Sequence, residues 1–168
     1  ALHFDIGFGA KDDKSAILRA RANMAGGDFR VVDVRDRYLQ DVLFSPKYGY
    51  GKHFNPCIDC HGYMAKTAFA MMADEGADFI ITGEVVGQRP MSQRVEAMNQ
   101  VKKIADDREG LILRPLCAKL LPPTRPEILG LIDREKLLDI SGRGRTRQME
   151  LALKFGFSDY ESPAGGCL

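Results

Sequence analysis

The chain has 168 residues, 45% hydrophobic and 28% charged, which is enough apolar material for a packed domain of ordinary size. Twenty-four Lys and Arg against 23 Asp and Glu leave a formal charge of +1, so the global balance demands neither a nucleic acid nor an anionic membrane. No apolar run approaches the roughly 20 residues that span a bilayer, and no signal-peptide pattern opens the sequence; the chain reads as cytoplasmic, with no membrane partner.

In chain order, residues 1–6 form a short strand-like run ending at Gly7-Phe8-Gly9, and they open as if cut into mid-domain. Ala16, Ile17, Ala20 and Met24 fall near helical spacing, which predicts a helix over 14–24 stopped by Gly26-Gly27. Residues 29–34 read as a buried strand, so a βαβ unit is expected. A helix over about 36–44 leads to the loop from Ser45 to Lys52. A longer helix over about 58–76 follows, with Met64, Ala68, Met71 and Met72 as its core face. Strands at 78–82 and 110–114 flank a helix at about 93–106. After Pro122-Pro123, short helices are expected at about 126–132 and 144–156. Alternating strands and helices imply an α/β domain over residues 1–168, with an open, mostly parallel, Rossmann-like sheet and helices on both faces. Ligands bind such sheets at the carboxyl ends of their strands, here after residues 6, 34, 82 and 114.

The four cysteines, Cys57, Cys60, Cys117 and Cys167, are too few for a disulfide scaffold. Cys57 and Cys60 stand three apart within His53-Phe54-Asn55-Pro56-Cys57-Ile58-Asp59-Cys60-His61, where a loop enters a helix. The unpaired N–H groups of a helix start favour thiolates. Several readings compete: c-type haem attachment, a zinc site completed by His53, His61, Cys117 or Cys167, a thioredoxin-like pair, or two unliganded thiols. Cys167 lies in the glycine-rich Ser162–Leu168 segment. With Cys57 and Cys60 it makes three thiolates, a set that leaves one iron of a [4Fe–4S] cluster open. Cys117, between Leu116 and Ala118, reads as a small buried hydrophobe.

A second constellation runs from Thr82 to Gln93. Gly83 and Gly87 let backbone approach a ligand, while Thr82, Glu84, Gln88, Ser92 and Gln93 offer hydroxyl, carboxylate and amide partners.

Three of these features together carry a resemblance: Asn55-Pro56 followed by Cys60, the Thr82-Gly83-Glu84 loop with Gly87-Gln88 and Ser92-Gln93, and Leu113-Arg114-Pro115-Leu116. They resemble the PP-loop ATP pyrophosphatases that thiolate tRNA, both the 2-thiouridylases and the 4-thiouridine synthetases, over most of the chain. The Cys57/Cys60 pair with late Cys167 is similar to the iron–sulfur-dependent members. The family's Ser-Gly-Gly-x-Asp-Ser loop, which cradles the pyrophosphate of ATP, occurs nowhere in the sequence. Residues 1–6 would then be the family's second strand, and the first βα unit is expected to be missing.

The resemblance implies an adenine nucleotide alpha hydrolase-like fold. It implies a sulfurtransferase that uses ATP and Mg2+ to adenylate a tRNA uridine before sulfur displaces AMP. Cys57, Cys60 and Cys167 would hold the cluster; alternatively Cys60 is a persulfide nucleophile that Cys167 resolves. His3, Phe4 and Asp5 would border adenosine, and Thr82, Gly83 and Gln88 would line the nucleotide and base cavity. Expected partners are tRNA and a sulfur donor, whether a cysteine desulfurase, a carrier protein or free sulfide, and a homodimer is allowed. Arg143, Arg145, Arg147 and Lys154 form a basic run suited to phosphates or to a solvated helix face. A small-molecule PP-loop ligase or amidotransferase and a non-catalytic zinc-binding module are the alternatives from other classes.

Overall fold

The computed structural model describes residues 1–8, 14–51 and 54–160. The chain divides into two compact units, Ala1–Leu39 with the segment from Arg145 onward, and Gln40–Gly144. Among the described residues no helix is long and apolar enough to cross a membrane.

The first unit contains the expected βαβ element. β1 (Leu2–Asp5) and β2 (Arg30–Asp33) pair in parallel, with Leu2 opposite Arg30 and Asp5 opposite Asp33. Between them runs α1 (Ser15–Met24). It ends where the sequence predicts: Gly26 takes the left-handed conformation, at φ 72°, and Gly27 N donates to Ala22 O at 3.0 Å. After β2 comes α2 (Arg35–Tyr38), which passes into a π-helical turn, Leu39–Leu43, in place of one regular helix over 36–44. α6 (Thr146–Lys154) belongs to the same unit as α1. Beyond its end Asp159 receives the Arg21 guanidinium through two bonds of 3.1 Å.

The second unit is built on α3 (Cys57–Met71) and α4 (Val95–Ala105). α4 buries Ala97, Met98, Val101 and Ala105, an i, i+1, i+4, i+8 stripe. The methionines of α3 do not form its core face. Gly62, Ala65 and Ala68 do, while Met64, Met71 and Met72 are half-buried. Close helix approach explains the difference, because a Cβ at Gly62 would lie 2.5 Å from Ile104 Cβ. Only small residues fit that seam. Ala65, Val101, Ala105 and Ile112 make one core cluster, and Leu113, Ala118 and Leu137 another.

β3 (Ile80–Ile81) and β4 (Ile112–Leu113) pair in parallel, Ile80 opposite Ile112 and Ile81 opposite Leu113. Asp107, just past α4, aligns β4 by accepting from Leu111 N at 2.7 Å and Ile112 N at 3.3 Å. α5 (Arg125–Ile128) starts at a capping box in which Glu127 Oε2 accepts from Thr124 N at 2.8 Å. The architecture is thus mixed helix and strand with parallel strand pairs. Among the described residues the strands form two two-stranded sheets, β1–β2 in the first unit and β3–β4 in the second.

Candidate functional site

The site grows from the first turn of α3 in the second unit. Pro56 leads into the helix, and its carbonyl accepts from Cys60 N at 2.8 Å. Asp59, between the two cysteines, is buried at 6% exposure. Its carboxylate accepts from Lys47 N at 2.7 Å and Tyr48 N at 3.0 Å, which fastens the preceding loop onto the helix start. That loop in turn receives the 82–93 segment, because a Cβ on Gly51 would fall 1.9 Å from Met91 Sδ. Cys57 and Cys60 are half-buried and one helical turn apart, so both thiols occupy neighbouring positions at the positive end of α3.

Because β3 and β4 run parallel, the residues that follow them meet at one end of the pair. Thr82-Gly83-Glu84 follows β3, and Arg114 follows β4. Glu84, 7% exposed, and Arg114, 2% exposed, form an ion pair with Arg114 Nε donating to Glu84 Oε2 at 2.7 Å. Thr82 Oγ1 donates to the same oxygen at 3.0 Å, and His61 Nδ1 lies 2.8 Å from Oε1. Burial pushes the Glu84 carboxyl up. The hydrogen bond from His61, the Arg114 charge, the His61 charge and the bond from Arg114 together outweigh it and bring the group from 4.5 down to about 2. An ionised Glu84 accepts from every partner, so His61 presents Nδ1–H to it and turns Nε2 to the opposite edge of the ring. His61 follows Cys60 directly, so one buried carboxylate ties the cysteine turn to both strand ends.

Cys117 is fully buried and donates from Sγ to Glu84 O at 3.4 Å. Burial raises its thiol above the ordinary value despite a backbone hydrogen bond at Val86 and the Arg114 charge. It is the inert small hydrophobe that the sequence predicts. Ser92 and Gln93 are also buried. The loop that carries them closes on itself, Gly87 N donating to Gln93 O at 2.6 Å and Gln88 N to Val85 O at 3.1 Å.

The remaining sequence candidates fall elsewhere. His3, Phe4 and Asp5 lie on β1 in the first unit, where the His3 ring stacks on Phe29 at 6.5 Å between centroids. Asp5 Oδ1 accepts from Gly7 N at 2.9 Å, and Arg35 Nε lies 3.8 Å from its other oxygen. At this strand end Asp33 to Arg37 line a cavity of about 670 Å3. Hydrogen bonds from the Arg35 side chain and backbone hold Asp33 at about 2. Thr82, Gly83 and Gln88 lie in the second unit with Cys57 and Cys60. Arg143 is in that unit also, whereas Arg145, Arg147 and Lys154 belong to the first; all but half-buried Arg145 are exposed. Cys167 and His53 lie outside the described residues. Among the described residues no group of three or more His, Cys, Asp or Glu side chains is arranged to hold a metal.

The Glu84–His61–Arg114 network is the part that sequence reasoning missed as a unit. Its signal was an acid just after one strand and a base just after the next, which a parallel pair brings together. Compared with family models, curated proteins and solved structures, the chain matches none.

Proposed function

We propose that the chain is an ATP-dependent tRNA sulfurtransferase acting on a uridine, built on the open, mostly parallel, Rossmann-like fold of the PP-loop ATP pyrophosphatases it resembles. The observation that carries this reading is the gathering, in one unit, of the Cys57/Cys60 turn with two strand-end motifs of that resemblance, through the bonds of Glu84 to His61, Thr82 and Arg114. In the reaction implied, a uridine carbonyl oxygen bonds to the α-phosphorus of Mg2+-bound ATP and pyrophosphate leaves. The ring N–H gives up its proton as that adenylate forms. A sulfur nucleophile then attacks the same ring carbon, and AMP departs with the original oxygen.

Cys57 and Cys60 suit a [4Fe–4S] cluster as two half-buried thiols one turn apart at a helix start, with Cys167 as the third ligand. When bound, such a cluster supplies an iron with a vacant position for inorganic sulfur. In the persulfide form of the reading, Cys60 carries the sulfur and Cys167 resolves it. Thr82, Gly83 and Gln88, within the second unit, line the nucleotide and base cavity, and the basic run Arg143, Arg145, Arg147 and Lys154 meets tRNA phosphates. AMP formation that requires tRNA supports this function. AMP formed with a small acceptor and no tRNA would replace it with the ligase or amidotransferase reading.

A further inference from the structure

Between Phe44 and Pro56 the sequence carries four aromatic side chains, Phe44, Tyr48, Tyr50 and Phe54, with Lys47 and Lys52 among them and no Asp, Glu, Leu, Ile, Val or Met. The sulfurtransferase reading leaves these rings without a role, and so does the core. Phe54 is 78% exposed, and Phe44 and Tyr50 are exposed as well. The Phe54 backbone is also strained. Its φ of 57° lies in the left-handed region that a bulky residue rarely enters, and the bond from Gly51 N to Asn55 O at 2.9 Å closes the turn around it. Strain that no burial offsets points to function rather than to packing.

The rings are held in place. Tyr50 and Phe54 meet edge to face, with centroids 6.0 Å apart and planes at 66°, so each is touched by the other on one side only. The Tyr50 hydroxyl donates to Leu43 O, which anchors the ring that braces Phe54. Asp59 fixes the backbone of Lys47 and Tyr48, and Lys47 Nζ stands 5.8 Å from the centre of the Tyr48 ring. The occupant of such a surface offers flat faces and negative charge. Lysines repel a cationic ligand of the kind that aromatic cages take, and protein interfaces favour aromatic residues but are depleted in lysine. A duplex keeps its base faces inside its own stack. A single strand has bases free to stack on aromatic rings and phosphates for the ammonium groups, and it meets both requirements.

We propose that Tyr50 and Phe54, with Lys47, form a stacking platform for single-stranded nucleic acid, on which a base lies against the open face of Phe54 while the Lys47 ammonium attracts the phosphates beside it. The inference goes beyond the sulfurtransferase reading, which assigns tRNA phosphates to the basic run from Arg143 to Lys154 and asks nothing of these rings. Stacking accepts every base, because every base has a π face, so the platform supplies grip rather than sequence choice.

The test is fluorescence anisotropy of the full chain, without ATP or sulfide, against an end-labelled oligocytidylate of about eight nucleotides and an abasic strand of the same length. Cytidine is neither the adenosine nor the uridine of the reaction proposed above, so those sites do not enter the readout. The oligocytidylate should bind at least about fivefold more tightly than the abasic strand, the least that one stacked base contributes. Phe54→Leu keeps apolar bulk without a π face and should lose that preference, whereas Phe54→Trp should keep or raise it. Both variants should melt with the wild type, since the ring is exposed. No binding, equal binding of the two strands, a preference that survives Phe54→Leu, or one lost equally in Phe54→Trp would overturn the platform. If the wild type thiolates tRNA yet shows no preference, the platform fails and the sulfurtransferase reading stands. A preference without thiolation gives the reverse.

Discussion

Replacing Glu84 by Gln tests whether the buried ion pair organises the second unit. The substitution keeps shape and one acceptor oxygen but removes the charge that Arg114 faces at 2.7 Å and puts an N–H among three donors. The carboxyl falls from 4.5 to about 2, a shift worth about 3 kcal/mol of folding free energy at roughly 1.4 kcal/mol per unit. Breaking one side of a buried pair independently costs about 3–5 kcal/mol, so the two routes agree in scale. Urea unfolding followed by far-UV circular dichroism at pH 7 should show Glu84→Gln less stable by about 3 kcal/mol, with Tm lower by roughly 6–12 °C for a chain of this length. Because the folded-state value is depressed, the stabilisation is fully present above pH 4.5 and is lost as the pH falls from there toward 2. The gap between wild type and variant should therefore close across that window. A gap of less than about 1 kcal/mol at pH 7, or one that persists unchanged down to pH 2, would refute the reasoning.

Asp59→Ala removes the acceptor for Lys47 N and Tyr48 N, and should cost about 1–3 kcal/mol while hydrogen exchange at those two amides accelerates; unchanged protection would show that the loop is held by other means. Gly62→Ala gains roughly 1 kcal/mol of helix propensity but drives a Cβ to 2.5 Å from Ile104 Cβ, an overpacking cost of about 1–3 kcal/mol, so thermal unfolding should show no net stabilisation and a loss if Ile104 cannot move. Replacing Arg143, Arg145 and Arg147 together by Ala should weaken all tRNAs about equally and reduce the salt slope of log binding constant by roughly 2–3; an unchanged slope would return these residues to a solvated surface.

The elements were legible where local chemistry dominates. α1 ends at its glycine, and α4 buries the stripe its spacing announces. The strands were legible as runs but not in extent: β3 and β4 are two residues long, the last ladder bond running from Thr82 N to Leu113 O at 3.0 Å, and beyond it the side chains of Thr82 and Arg114 bond to Glu84. Methionine spacing on α3 pointed to a core face, yet the face was set by how closely α4 approaches at Gly62, a tertiary property that periodicity does not encode. At the site, the residue types of the 82–93 loop and the helix-start cysteines were readable. The bond that unites them, His61 to Glu84, spans 23 positions of sequence. It depends on α3 packing beside β3, and no local pattern marks it.

Sulfur transfer to tRNA is read by incubating the full chain with unmodified tRNA, ATP, Mg2+ and sulfide under anaerobic conditions, then digesting the tRNA to nucleosides for mass spectrometry. A sulfurtransferase yields a uridine in which one oxygen has been replaced by sulfur, formed only when ATP is present and lost when Cys57 and Cys60 are both replaced by Ser. Uridine left unmodified by protein that is consuming ATP to AMP would contradict the proposed function.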